Sequence, residues 1–179
     1  MNNIYVVVLI GIGSGILLAS FLPKNSNFLD IRSIFSQHLK IFLGSPLQFV
    51  SVFMVPGLFA VGIVLVRCVT RGILNNLNIV LSILIAMFFS ILGIICSLNG
   101  TEKKGSYEQL LKETFTATTF EIIICLLLLL VSFATLFIGN FDDGWLLKII
   151  SGIIYYLTIV VILNILAVIK RIKVLFDNR

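Results

Sequence analysis

The residues of this chain that could do chemistry are small and polar side chains within a strongly apolar stretch. No charged residue occurs between Ile79 and Leu98, a run long enough to cross a hydrocarbon core of about 30 Å. Small and polar residues recur there at steps of three or four, which places them on one face of a helix. This face, which we call the polar stripe, begins near Arg71 and carries Asn75, Asn78, Ser82, Ala86, Ser90, Gly93 and Ser97.

A polar stripe on a membrane helix has two common uses. It lets neighbouring helices approach closely, with serines hydrogen bonding across the contact, or it lines a wet pathway for ions. Both uses stay open at the level of sequence. The opposite face carries bulky side chains that suit lipid or tight packing, namely Leu77, Leu81, Leu84, Phe88, Leu92 and Ile95.

The sequence contains few residues for acid–base or metal chemistry. It has one histidine, His38, and no paired carboxylates within its apolar runs. It lacks the HExxH, GxSxG and dinucleotide-binding motifs, and Cys68, Cys96 and Cys125 show no metal-ligand spacing. The sequence therefore predicts a protein that is not an enzyme and that carries no cofactor or metal.

The composition bounds the class of protein. Of the 179 residues, 59% are hydrophobic and 12% are charged, and the mean hydropathy is +1.16. Because a soluble domain is about one quarter charged, this composition indicates an integral membrane protein with little soluble mass. The length allows a single transmembrane domain over residues 1–179.

The apolar runs predict an all-α fold, a polytopic transmembrane helical bundle with about five spans. The segment 27–43 has apolar residues at helical spacing and predicts an amphipathic helix along the membrane surface. A four-span alternative, with one re-entrant early segment, stays open because Arg67 and Arg71 follow the second run closely. The predicted spans lie near 4–22, 47–66, 79–98, 122–139 and 149–169.

Two of the early runs contain residues that shape helices. In the first run, Gly11, Gly15 and Ala19 are four apart, which predicts a close-packing face of the GxxxG type. In the second run, Pro56 and Gly57 predict a kink, because proline removes a backbone hydrogen bond and clashes with the preceding turn. The kink is either a hinge for gating or a fixed feature of shape.

The last two runs each carry a polar residue that needs an explanation. Asn164 lies within the final run, and an asparagine in hydrocarbon is expected to face another helix or a cavity. Glu121 stands at the predicted start of the fourth run. A carboxylate at that point is expected in the headgroups or around the mouth of an oligomeric pore.

The distribution of positive charge predicts the orientation. Lys170, Arg171 and Lys173 form the densest basic cluster, which places the C-terminus in the cytoplasm by the positive-inside rule. Five spans then put Lys103 and Lys104 on the same side. These cations predict contact with anionic lipid headgroups, or alternatively with an anionic ligand or partner protein. No feature clearly indicates nucleic-acid binding.

The layout resembles small multi-span pore-forming effectors of bacterial anti-phage defence. The resemblance rests on an apolar bundle with an interfacial helix (HLKIF), a proline-kinked span (SPLQFVSVFMVPG) and a basic tail (KRIK). It implies a homo-oligomeric ion channel or pore in the bacterial inner membrane that opens on infection and depolarises the host. The rival predictions are a non-conducting accessory, scaffold or immunity subunit, and a small transporter subunit.

Overall fold

The structure is a computed structural model that describes residues 12–13, 34, 36, 50–98, 105–138 and 144–177. Helices, and no strands, make up the regular structure of these residues. The longer elements are a π-helix over Val50–Met54 and four α-helices: α1 Val55–Val66, α2 Arg71–Leu98, α3 Ser106–Ile138 and α4 Trp145–Asp177. The predicted fold class, an all-helical protein, agrees with this part of the chain.

The helix type changes at the predicted proline kink. Pro56 lies in the first turn of α1 and has no N–H to donate to a carbonyl of the π-helix before it. The five residues before α1 form a π-helix, whose wider turns are a common way to relieve a crowded position in a helix. The change from π to α turns therefore lies next to Pro56 and Gly57, the residues at which a kink was predicted.

A tight linker joins α1 to α2. Arg67 is extended, with φ −156° and ψ 124°, and ends α1. Thr70 caps α2, because its Oγ1 accepts the N–H of Ile73 at 3.4 Å and its carbonyl accepts the N–H of Leu74 at 3.0 Å. The predicted third span starts near residue 79, whereas the helix begins eight residues earlier. The threonine cap starts the helix at Arg71, so the polar stripe begins in the first turn of α2.

The third helix is longer than its apolar run. The polar segment before residue 122 is helical from Ser106 and continues without a break into the apolar part. Threonines are tolerated here because Thr114 and Thr118 donate their hydroxyls to the carbonyls of Leu110 and Thr114, at 2.7 and 2.9 Å. The predicted start of the fourth run at residue 122 thus lies near the middle of a 33-residue helix.

Three helices are long and apolar enough to cross a membrane: Arg71–Ser97, Tyr107–Phe137 and Trp145–Asp177. The segment Val50–Val66 is a shorter apolar helix. The described residues therefore hold three candidate spans, and the predicted count of about five is not confirmed. The first predicted run, 4–22, and the predicted interfacial helix, 27–43, lie outside the described residues apart from isolated positions.

The three long helices pack side by side in sequence order. Helix α3 lies between α2 and α4, and α1 packs on α4. At one end, Ile95 of α2, Tyr107 and Leu111 of α3, and Leu175 of α4 form one cluster. Because these residues come from the end of α2, the start of α3 and the end of α4, consecutive long helices are antiparallel.

Helix α2 presents its bulky face to this bundle. Its buried seam consists of positions seven apart, Leu74, Leu81, Phe88 and Ile95. This spacing is typical of helices whose axes cross at a small angle. Leu77, Leu84 and Leu92 pack against the same core. The sequence left open whether this face meets lipid or other helices, and the structure buries it against helices.

Candidate functional site

A polar line of side chains runs through the interior of the bundle on α3. We call it the α3 core face, and it consists of Thr114, Thr118, Glu121, Cys125, Leu128, Ser132 and Thr135, all of them buried. The residues recur at steps of four and three, so the line follows one side of the helix for about 30 Å. That length matches the hydrocarbon thickness of a bilayer. In a membrane protein, a buried side with so many hydroxyl, thiol and carboxyl groups is a candidate for function.

Most hydroxyls on this face are already hydrogen bonded. Thr114, Thr118 and Thr135 each donate to the backbone carbonyl four residues earlier, at 2.7 to 2.9 Å. A hydroxyl that donates in this way keeps its oxygen lone pairs available. The Oγ of Ser132 is buried without a hydrogen-bond partner.

Glu121 is the ionisable carboxylic acid at the centre of the α3 core face. Its side chain is 0% exposed, and neither carboxyl oxygen makes a hydrogen bond. The amide of Asn164 on α4 is the hydrogen-bonding group that approaches it. Asn164 is 1% exposed, and neither its Nδ2 nor its Oδ1 reaches hydrogen-bond geometry. Two buried polar groups on neighbouring helices therefore face each other with their bonding capacity unused.

No basic side chain balances Glu121 among the residues that the structure describes. The ion pair found there joins Glu113 to Arg171, with 3.7 Å between Oε2 and Nη1, at the end of the bundle where α4 ends. Glu113 also accepts a hydrogen bond from Gln109 at 3.0 Å. Glu113, near the end of the bundle, thus has a basic and an amide partner, whereas Glu121 has no basic partner among the described residues.

The polar stripe lies mainly on the outside of the bundle. Asn78 is its one buried member, 8% exposed, and its Oδ1 has no hydrogen-bond partner. The other stripe positions are exposed, and a Cβ added at Gly93 would meet no atom of a neighbouring described element within 4 Å. Within the described part of the chain, the exposed members of the stripe therefore do not serve as a contact between helices.

The serines of the stripe are hydrogen bonded within α2. Ser82, Ser90 and Ser97 donate to the carbonyls of Asn78, Ala86 and Ile94, at 2.8, 3.0 and 2.7 Å. Their donors are thereby satisfied in an apolar surrounding, while the oxygens remain able to accept a hydrogen bond or coordinate a cation.

The remaining predicted residues are placed as follows. Pro56 is buried and Gly57 is half-buried, with open space around the glycine. In the basic cluster, Lys170 and Lys173 are exposed, and Arg171 is half-buried and paired with Glu113. Several predicted positions lie outside the described residues, namely Gly11, Gly15, Ala19, Lys103 and Lys104.

The sequence interpretation missed the α3 core face. The signal was present, since Thr114, Thr118, Glu121 and Cys125 recur at steps of four and three. It was hidden because hydropathy divides this stretch into a polar segment and an apolar run, and the periodicity crosses that boundary. Glu121 consequently seemed to stand at the start of a span, whereas the structure buries it between helices.

Among the described residues, no group of three or more His, Cys, Asp or Glu side chains could hold a metal ion. No family model, curated protein or solved structure matches this chain. The two polar surfaces, one outward on α2 and one inward on α3, are therefore the observations from which its function is argued.

Proposed function

We propose that this chain is an integral membrane protein that assembles into a homo-oligomer and forms an ion channel or pore. The observation that carries the proposal is the exposed polar stripe on α2, a helix long and apolar enough to span a membrane. Small residues on such a face allow neighbouring copies to bring their backbones close together. The face is otherwise unusual for lipid contact, where bulky apolar side chains predominate.

The chemistry of the stripe suits weak coordination of ions. The oxygens of Ser82 and Ser90 keep free lone pairs, because each hydroxyl donates to its own helix. Weak ligands of this kind let an ion bind and then leave, as conduction requires. Ala86 and Gly93 leave room for water between the polar positions.

The orientation and the cellular location of the pore are argued from the basic cluster and from the resemblance to known effectors. The basic cluster at residues 170–173 favours a cytoplasmic C-terminus and contact with anionic headgroups, or with an anionic ligand or partner protein. The resemblance to pore-forming effectors of anti-phage defence suggests the bacterial inner membrane and a role in antiviral defence by depolarisation.

A small transporter subunit is the second candidate. Transporters carry ionisable residues near the bilayer midplane that bind the coupling ion. Glu121, buried near the middle of α3, is a residue of that kind. A non-conducting accessory, scaffold or immunity subunit is the rival to both, and a flux measurement separates it from them.

The test combines conductance with accessibility. Purified protein is reconstituted into planar bilayers, and single cysteines are placed along α2 in a background without Cys68 and Cys96. Under conducting conditions, an aqueous thiol reagent is expected to modify Ser82→Cys, Ser90→Cys and Gly93→Cys and to change the current.

Matched controls are available on the same helix. Met87 and Ile94 are exposed and apolar and lie off the stripe, so their cysteine variants should contact lipid and react slowly. Phe88→Cys tests the buried seam. Absence of any conductance, or equal protection of stripe and lipid-facing positions, would favour the scaffold.

A further inference from the structure

We propose that Glu121 and Asn164 form a binding site for one monovalent cation in the interior of the bundle. The proposal rests on the α3 core face and not on the polar stripe, so it stands independently of the pore. It concerns the carboxyl group of Glu121, which no described basic side chain neutralises.

The carboxyl group of Glu121 lies far from water. Glu121 is fully buried and lies more than 20 Å, about 15 helical rises, from either end of α3. Withdrawing a carboxylate from water costs several kcal/mol unless an opposite charge lies beside it. Because no described basic residue pairs with Glu121, a bound cation is the natural compensation.

The ligands available to a cation are oxygen atoms. Two carboxyl oxygens of Glu121 and the Oδ1 of Asn164 are buried, unused acceptors on adjacent helices. Thr118, one turn earlier on the same face, donates its hydroxyl to Thr114 and keeps lone pairs on its oxygen. An all-oxygen set of this kind suits a proton or a hard metal cation.

Charge balance sets the valence. A single carboxylate carries one negative charge, and the described residues offer no cluster of three acidic, cysteine or histidine side chains for a divalent ion. A proton and Na⁺ both satisfy the balance. With a proton, Glu121 donates its O–H to Asn164 Oδ1. With Na⁺, the same oxygen coordinates the ion, and the site is the same in both cases.

The test uses a hydrophobic carbodiimide, which modifies protonated carboxyl groups in apolar surroundings. The full chain is reconstituted in lipid vesicles, and the modified residue is identified by peptide mass spectrometry. Two series are run, one of rising Na⁺ at constant pH and one of rising pH without Na⁺. We expect Glu121 to be modified and its modification to be lost in at least one series.

The two series identify the cation. Protection by Na⁺ assigns the site to Na⁺, whereas protection by alkaline pH alone assigns it to the proton. Failure to modify Glu121 in any condition, or a modification rate that depends on neither pH nor Na⁺, would overturn the proposal. Because this measurement needs no current, its failure is distinct from failure of the pore.

The role of Asn164 as a ligand is tested by substitution. Asn164→Leu should shift the Na⁺ concentration or proton activity at half-protection by about tenfold or more, as loss of a supporting ligand does elsewhere. Thr158→Val is the matched control, since Thr158 lies on the same helix as Asn164 and its hydroxyl donates to the carbonyl of Ile154 within that helix. Equal midpoints for the two variants would remove Asn164 from the site.

Discussion

Ser151 is a single side chain on which the linker between α1 and α2 depends. The backbone N–H of Val69 donates to its Oγ at 3.0 Å, and both residues are buried. This bond satisfies a donor in a segment outside any helix, where a buried N–H without a partner is costly. It also ties the linker to α4, far away in sequence.

The first prediction concerns this bond. Ser151→Ala should lower the free energy of unfolding by about 1–3 kcal/mol, because the Val69 N–H loses its partner in an apolar surrounding. Thermal and chemical unfolding in detergent, followed by circular dichroism, measures the change. Ser90→Ala, which removes an exposed hydroxyl bonded within its own helix, should have little effect. A similar loss in both variants would contradict the role of Ser151.

At the residue scale, sequence reasoning identifies polar residues in apolar runs but not their environment. Asn164 was recognisable because the five residues on either side of it are apolar, so a partner on another helix was expected. Glu121 was not, because its preceding residues are polar and suggested water. The difference arises from tertiary packing: α2 and α4 cover the polar half of α3, and hydropathy measured along one helix carries no information on its neighbours.

At the element scale, α2 separates a structural side from an outward side. Phe88 is 1% exposed and Phe89 is 56% exposed. Phe88→Ala should cost about 3–5 kcal/mol, because it leaves a cavity in the core, whereas Phe89→Ala should cost far less. Unfolding in detergent at a dilution where the chain is monomeric tests the pair. Equal costs would mean that the packing of α2 differs from the one described.

The outward side gives a prediction about association. A Cβ added at the exposed Gly93 has open space around it in its own chain, so Gly93→Leu should leave the monomer folded. If copies meet through the stripe, overpacking by about 1–3 kcal/mol should weaken self-association about fivefold or more. Analytical ultracentrifugation in detergent measures this. Gly62→Leu on α1, also exposed with open space, is the control and should associate like the wild type.

The elements themselves were partly predictable. Apolar length was sufficient to place α2 and α4, because a long uncharged run leaves the backbone no alternative to a helix in lipid. Helix starts were not predictable to the same degree. The cap by Thr70 and the hydroxyl bonds of the α3 threonines accompany the extension of α2 and α3 beyond their apolar runs. A hydropathy profile does not detect such local hydrogen bonds, so it places the helix starts too late.

At the scale of the whole molecule, the two ends of the bundle differ in the number of basic residues that they carry. Among the described residues, Lys112 and residues 170–173 lie at the end where α4 finishes, and Arg67, Arg71 and Lys148 lie at the other. The positive-inside rule favours the first end as cytoplasmic.

Orientation is therefore the fourth prediction. In cells, a membrane-impermeant thiol reagent added from outside should modify Gly144→Cys, which is exposed before α4, in a background without the native cysteines. A cysteine tag after residue 179 should react only once the membrane is permeabilised. Reaction of the C-terminal tag in intact cells would reverse the topology.

The buried seam and the polar stripe of α2 also differ in the repeat length of their residues. The buried seam repeats every seven residues, which gives a left-handed supercoil. The polar stripe advances by about 3.7 residues per step, close to the eleven-residue repeat that coils right-handedly. Small residues four apart likewise favour right-handed crossings of about −40°. Copies that meet through the stripe would therefore touch near Ala86 to Gly93 and diverge towards both ends. A ring of such crossings has the outline of an hourglass, narrowest at the middle of α2 and open at both membrane surfaces.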